Sequence, residues 1–273
     1  MLNLYITHVI ELNMSKTATI IPIYQPHFGY GINLLDSFRY HSSDDIFFVF
    51  SNSEEAKVFS TLTDKKYDSI ILDQELVNSG SIITVKKLFG LRDVFERYDY
   101  IGVLDSEIKF VRNIDTDIVY KEIFDSKILK VNNSLKGGDV IKNTAEKMNL
   151  INNEILIQET NNFSQYWWFN EIHVYEKNTF FRFYEYLSKL DNYHEIINDW
   201  WCFDFILYGI WLITNEGFKT KNMMPETTFE WGALEHNNSN EVSNKFNSHL
   251  DHNIKIETNN NTKITIQLNY PHF

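Results

Sequence analysis

The first hundred or so residues alternate between short, almost wholly apolar runs and longer amphipathic ones. The runs are Thr19–Tyr24 (TIIPIY), Asp45–Ser51 (DIFFVFS), Ser69–Asp73 (SIILD) and Tyr100–Leu104 (YIGVL). A strand with one wet face would alternate apolar and polar side chains. These runs do not, so they predict strands covered on both faces, as in a parallel sheet between helical layers. The stretches between them supply the helices: Ile32–Tyr40, a segment opened by Ser53-Glu54-Glu55-Ala56 with Ser53 as its N-cap, and Thr84–Tyr98. In the last of these, Leu88, Leu91, Phe95 and Tyr98 share a face that packs on the sheet. Lys87 and Arg92 lie at its edges, and Lys86, Asp93 and Arg97 lie on the opposite, solvated side. The predicted fold class is α/β, with a mostly parallel central sheet flanked by helices.

Beyond residue 115 the pattern changes. Lys177–Leu190 places Phe180, Phe183, Tyr184 and Leu187 at helical spacing, and Asp199–Ile213 is apolar on nearly every side, which predicts one buried helix. Asn132–Asn162 is polar and Asn-rich and reads as loops, and Glu235–Asn253 as one long loop. Ile254–Glu257 and Lys263–Leu268 read as two last strands. With no repeat and no break in composition, residues 1–273 predict one domain, in which 17–115 and 116–273 are two halves of a continuous fold.

Composition narrows the function by exclusion. There are 37 Asp and Glu against 25 Lys and Arg, a formal charge of −12, which argues against general nucleic-acid binding, since that needs a basic face. Cys202 is the one cysteine, so a Cys-rich zinc site and an intrachain disulfide are excluded, and its apolar neighbours predict a buried, inert thiol. The opening MLNLYITHVIELNMSK lacks the basic start and small-residue cleavage pattern of a signal peptide. The longest apolar run, Phe205–Ile213, falls short of the roughly 18 residues of a membrane span. A cytoplasmic protein without a membrane span is the expectation.

Candidate chemistry gathers where the fourth apolar run ends, at Asp105-Ser106-Glu107. Ligands of open α/β sheets bind beyond the carboxyl ends of the strands. Asp105 and Glu107 are two positions apart, so extended backbone would point both carboxylates to one side, where they could hold a hard cation against a diphosphate. The loop Tyr24-Gln25-Pro26-His27-Phe28-Gly29-Tyr30-Gly31 belongs at the same edge and matches neither a Walker loop nor a dinucleotide-binding glycine pattern.

With its first strand at Thr19–Tyr24, the helix carrying Lys86-Lys87-Leu88-Phe89 and the acidic strand end YIGVLDSE (Tyr100–Glu107), the chain resembles nucleotide-sugar-dependent glycosyltransferases of the GT-A fold. The resemblance covers residues 17–115 and implies that this is the nucleotide-sugar half and 116–273 the acceptor half. It implies a metal motif usually written Asp-x-Asp. Carried over, Glu107 is the ligand of Mn2+ or Mg2+, and Asp105 contacts the ribose or the metal; Glu in place of the last Asp is a departure. Tyr24, His27, Lys87, Arg92 and Ser106 are implied contacts of the nucleotide sugar, and His236 a late metal ligand. The compact size and the Asn-, Ile- and Lys-rich composition resemble algal-virus capsid glycosyltransferases, which points to UDP-xylose among UDP-sugars.

On the acceptor side, Tyr166, Trp167, Trp168, Asn170, Glu171 and His173 combine flat rings with polar tips, which suits sugar faces and hydroxyls. Inverting transfer needs one general base. Asp204 and Asp199 qualify, with Glu195 third; Asp204 ranks first because its phenylalanine neighbours would raise its pKa toward that of a useful base. The reading is therefore a metal-assisted, inverting transfer of a sugar from UDP to a glycan hydroxyl. Its alternatives are a sugar nucleotidyltransferase, whose basic glycine-rich loop is missing from Tyr24–Gly31, and a non-catalytic glycan-binding protein of the same fold.

Overall fold

The computed structural model describes residues 16–72, 82–131, 138–164, 172–222 and 265–267. Five strands form the central sheet: β1 (Thr17–Pro22), β2 (Asp45–Phe50), β3 (Asp68–Ile71), β4 (Tyr100–Val103) and, later in the chain, β7 (His173–Glu176). Their order is β3-β2-β1-β4-β7. The first four are parallel and β7 runs antiparallel to β4, pairing His173 with Val103. The α/β class with a mostly parallel sheet flanked by helices is thus present, and its fifth strand comes from the second half of the chain.

Because the strands are buried on both faces, successive residues feed two cores. Ala18, Ile20, Phe47, Val49, Ile101 and Val103 point to one, and Ile21, Ile23, Ile46, Phe48 and Phe50 to the other. The second core is closed by α1 (Phe28–His41), α2 (Ser53–Ser60) and α4 (Thr116–Asp125). The first is closed by α3 (Ile82–Val94), α5 (Gly138–Lys147), α6 (Glu154–Glu159), α7 (Lys177–Ser188), α8 (Tyr193–Asn198) and α9 (Asp204–Glu216). Two small sheets complete the described fold: β5 (Ile108–Phe110) with β9 (Thr265–Gln267), and β6 (Ile128–Val131) with β8 (Lys219–Asn222). Gly102 in β4 makes room for the buried Tyr120 ring, since a Cβ there would lie 2.4 Å from its Cζ. The Tyr120 hydroxyl in turn bonds Thr19 Oγ1 at 2.6 Å.

Several expectations are corrected. The N-cap of α2 is Asn52, whose side chain accepts the Glu55 N–H, so Ser53 is the first helical residue. The presumed loop 132–162 contains α5 and α6, because Ile141, Ala145 and Met148 recur at helical spacing and are buried. The helix expected over Asp199–Ile213 starts later: α9 begins at Asp204, and residues 199–203 link it to α8, which stops at Asn198. Asp199 itself ends the run, its carboxylate accepting the Trp201 N–H at 2.7 Å. Gly217, at φ 72, ends α9 in the left-handed conformation. Lys263–Leu268 does contain a strand, β9; Ile254–Glu257 and the loop 235–253 lie outside the described residues.

Candidate active site

The parallel register fixes which residues emerge together. Leu104 N donates to Ile20 O and Ile23 N to Val49 O, so the segments leaving β1 and β4 run side by side past the carboxyl edge of the sheet. Helix α3 begins at that same edge, because it follows β3 and returns across the sheet. Its second turn carries Lys87, and Asp204 opens α9 beside it.

Lys87 Nζ lies 2.9 Å from Asp105 Oδ1 and 3.2 Å from Asp204 Oδ1. The second oxygen of Asp204 accepts the Tyr175 hydroxyl at 2.6 Å. Burial works to strip Lys87 of its proton, but the pull and hydrogen bonds of Asp105 and Asp204 outweigh it and hold the ammonium well above the ordinary lysine range. Burial and the neighbouring Asp204 push the Tyr175 phenol far up, so it stays a donor. His173, at the start of β7, is pushed down to about 4, by burial first and by Lys87 in the same direction, against Asp204 and Asp105. It is a neutral imidazole at neutral pH, stacked on Phe205 with ring centroids 4.4 Å apart. The expected apolar pocket around Asp204 is thus lined by a cation and a phenol. This carboxylate is 1% exposed and anchors Lys87.

Asp105-Ser106-Glu107 is the turn from β4 into β5, not extended backbone, so the two acids do not share a side. Glu107 faces inward, with Oε1 3.1 Å from His27 Nδ1 and Oε2 accepting the Ser106 hydroxyl at 2.9 Å. Ser106 Oγ is also 3.0 Å from His27 Nδ1, and Tyr24 OH is 2.5 Å from His27 Nε2. With its proton on Nδ1, His27 donates toward Glu107 and accepts from Tyr24. The predicted Tyr24, His27, Ser106 and Glu107 are therefore one network that ties the loop after β1 to the turn after β4.

Other predicted residues lie elsewhere. Arg92 sits about 7.5 Å further down α3, over the Phe89 ring at 5.2 Å. Asp199 and Glu195 both hold Lys147, at 2.5 and 2.8 Å, in a separate ion cluster. Tyr166, Trp167, Trp168, Asn170, Glu171 and His236 lie outside the described residues. Sequence reasoning placed Lys86 in solvent. It is fully buried, its ammonium bonded to the Ile23 carbonyl and 3.8 Å from Glu55 Oε2. Cys202 is buried as expected, and burial pushes its thiol up to about 11.

Asp105 fits a divalent cation: its side chain is 41% exposed at the open edge. Mg2+ and Mn2+ commonly take one or two carboxylates and complete their shell with phosphate oxygens and water. Glu107 does not fit as placed, since its carboxylate is committed to His27 and Ser106. Among the described residues, no group of three or more His, Cys, Asp and Glu forms a ready-made metal cage.

No protein-family model and no curated protein matches the chain. Among solved structures the chain is similar to core-mannan synthase A from Aspergillus fumigatus in its Mn/GDP form. The two are 11% identical, over 73% of this chain and 70% of that one, with a TM-score of 0.45. A likeness this loose assigns neither activity nor ligand. Among the described residues, no helix is long and apolar enough to cross a membrane.

Proposed function

We propose that the protein is a GT-A-type glycosyltransferase that moves a sugar from a UDP-sugar to a glycan hydroxyl, with Mn2+ or Mg2+ as cofactor. One observation carries this reading: the Asp105–Lys87–Asp204 cluster at the carboxyl end of β4. One ammonium faces two carboxylates there, so the edge stays net negative and cannot attract a diphosphate unaided. A cation on Asp105 would supply the missing positive charge and neutralise the charge growing on the departing diphosphate. Binding of that cation would loosen Asp105 from Lys87. The ammonium, still anchored by Asp204, is then free to donate to the diphosphate or the donor sugar. His27, Ser106 and Glu107 hold the Tyr24 loop in place for the nucleotide.

Calorimetry with UDP, with and without manganese, tests the reading, followed by a donor-hydrolysis screen that starts with UDP-xylose. Metal-dependent UDP binding that Asp105→Ala abolishes supports it, and UDP binding under neither condition refutes it. Release of pyrophosphate from UTP and a sugar phosphate would place the chain among nucleotidyltransferases instead. Inversion, the proposed stereochemical course, has its own readout: an α-linked product from an α-configured donor refutes it.

A further inference from the structure

Two tryptophans stand in solvent beside this cluster. Trp200 and Trp201 are 53% and 54% exposed, in the five-residue link between α8 and α9. A single exposed aromatic is unremarkable. These two, however, lie in the link that leads directly into Asp204, close in sequence to a row of rings that starts inside the site. His173, next to Asp204, stacks on Phe205, and Phe205 stacks on Phe203 with centroids 5.6 Å apart and planes 22° from parallel. His173, Phe203 and Phe205 are all partly buried.

The link is held at both ends. Asp199 accepts the Trp201 N–H and binds Lys147. Cys202 is fully buried, with its carbonyl bonded to Thr84 Oγ1 at 3.4 Å. Thr84 lies one turn before Lys87 on α3, so the link that carries the tryptophans passes the start of the helix that bears Lys87. We infer that Trp200 and Trp201 form a carbohydrate-binding ledge that seats the acceptor glycan. Pyranose rings present flat CH faces that cover indole, while their hydroxyls stay wet. Charge argues against a membrane surface as the occupant. The segment 191–204 carries Asp191, Glu195, Asp199 and Asp204 with no Lys or Arg, and the nearby Lys147 is consumed by two of these acids.

The ledge as an acceptor subsite rests on the glycosyl-transfer reading, so its test avoids the donor. Saturation-transfer NMR is run on the whole chain with mannohexaose, cellohexaose and xylohexaose. The expected result is saturation of sugar CH protons by wild type, with affinity about ten-fold weaker in Trp200→Ala/Trp201→Ala. Far-UV circular dichroism and UDP calorimetry of the double variant should match wild type. Absence of transfer from wild type to all three sugars, or equal transfer from the double variant, overturns the ledge. So does tryptophan-dependent sedimentation with phosphatidylglycerol vesicles in place of sugar binding. Sugar binding by a wild type that ignores UDP upholds the ledge as a glycan site and sinks the transfer reading alone.

Discussion

Lys86 and Lys87 are neighbours on one helix, both buried, and their surroundings drive them in opposite directions. Lys87 meets two carboxylates within 3.2 Å and is held firmly charged. Lys86 meets a carbonyl and one carboxylate 3.8 Å away, and burial pushes it down to about 8. Equal burial therefore does not set a lysine's state; the distance and number of opposite charges do. The contrast separates the side of α3 that faces the candidate chemistry from the side that props up the loop after β1.

The largest expected effect breaks the contrast from the Lys87 side. Lys87→Met leaves Asp204 buried without its cation, and stability should fall by about 3–5 kcal/mol, read from the denaturant midpoint. Lys86→Met leaves no buried carboxylate of that kind and should cost far less; an equal cost would erase the distinction. Next, Asp105→Asn should change stability by under about 1 kcal/mol, because its side chain is 41% exposed. Manganese-dependent UDP binding should nevertheless weaken roughly a hundredfold, so a variant that binds normally would separate the cluster from nucleotide binding.

A smaller effect is expected from pH. Lys86 loses its proton near pH 8 in the folded chain but near 10.5 when unfolded. Over that window the unfolded state binds more protons, so this group makes stability rise with pH. The rise should be about 1 kcal/mol between about pH 8 and pH 9, and Lys86→Met should lack it. Buried tyrosines such as Tyr98 and Tyr120 have raised pKa values and pull stability down above about pH 10. The difference between wild type and variant is therefore the quantity to measure. The smallest effect is that of Glu55→Gln. It keeps an acceptor for the Ser51 N–H, now made by Glu55 Oε2 at 2.9 Å, but removes the charge facing Lys86. The onset of the rise should move to lower pH by less than about one unit.

The strands were legible in the sequence because burial on both faces leaves a local mark. The four parallel strands fall within two residues of their predicted limits at either end. What escaped prediction depends on partners distant in the chain. Lys86 sits opposite the sheet-facing stripe of α3, and nothing nearby in sequence announces that the Ile23 carbonyl will meet it. Lys87 and Asp105 were singled out separately from Asp204, but their convergence needs α9 to dock against α3. The inward turn of Glu107 depends on His27, which the register of β1 and β4 brings across. The five-residue link in place of the start of the expected Asp199–Ile213 helix is held by one side chain, Asp199, bonding the backbone two residues on.

The antiparallel entry of β7 beside β4 ties function to folding order. Residues up to β4 can assemble as local strand–helix–strand units, yet they carry Lys87 into a half-built interior with Asp105 as its partner. The second countercharge arrives when β7 has paired and α9 has packed over it. Those late elements bring both the burial of the ammonium and the carboxylate that compensates it, so neither half of the chain completes the ion pair alone. The same ion pair that shapes the candidate site would then act as a cooperativity device, making the two halves of the chain fold and unfold together.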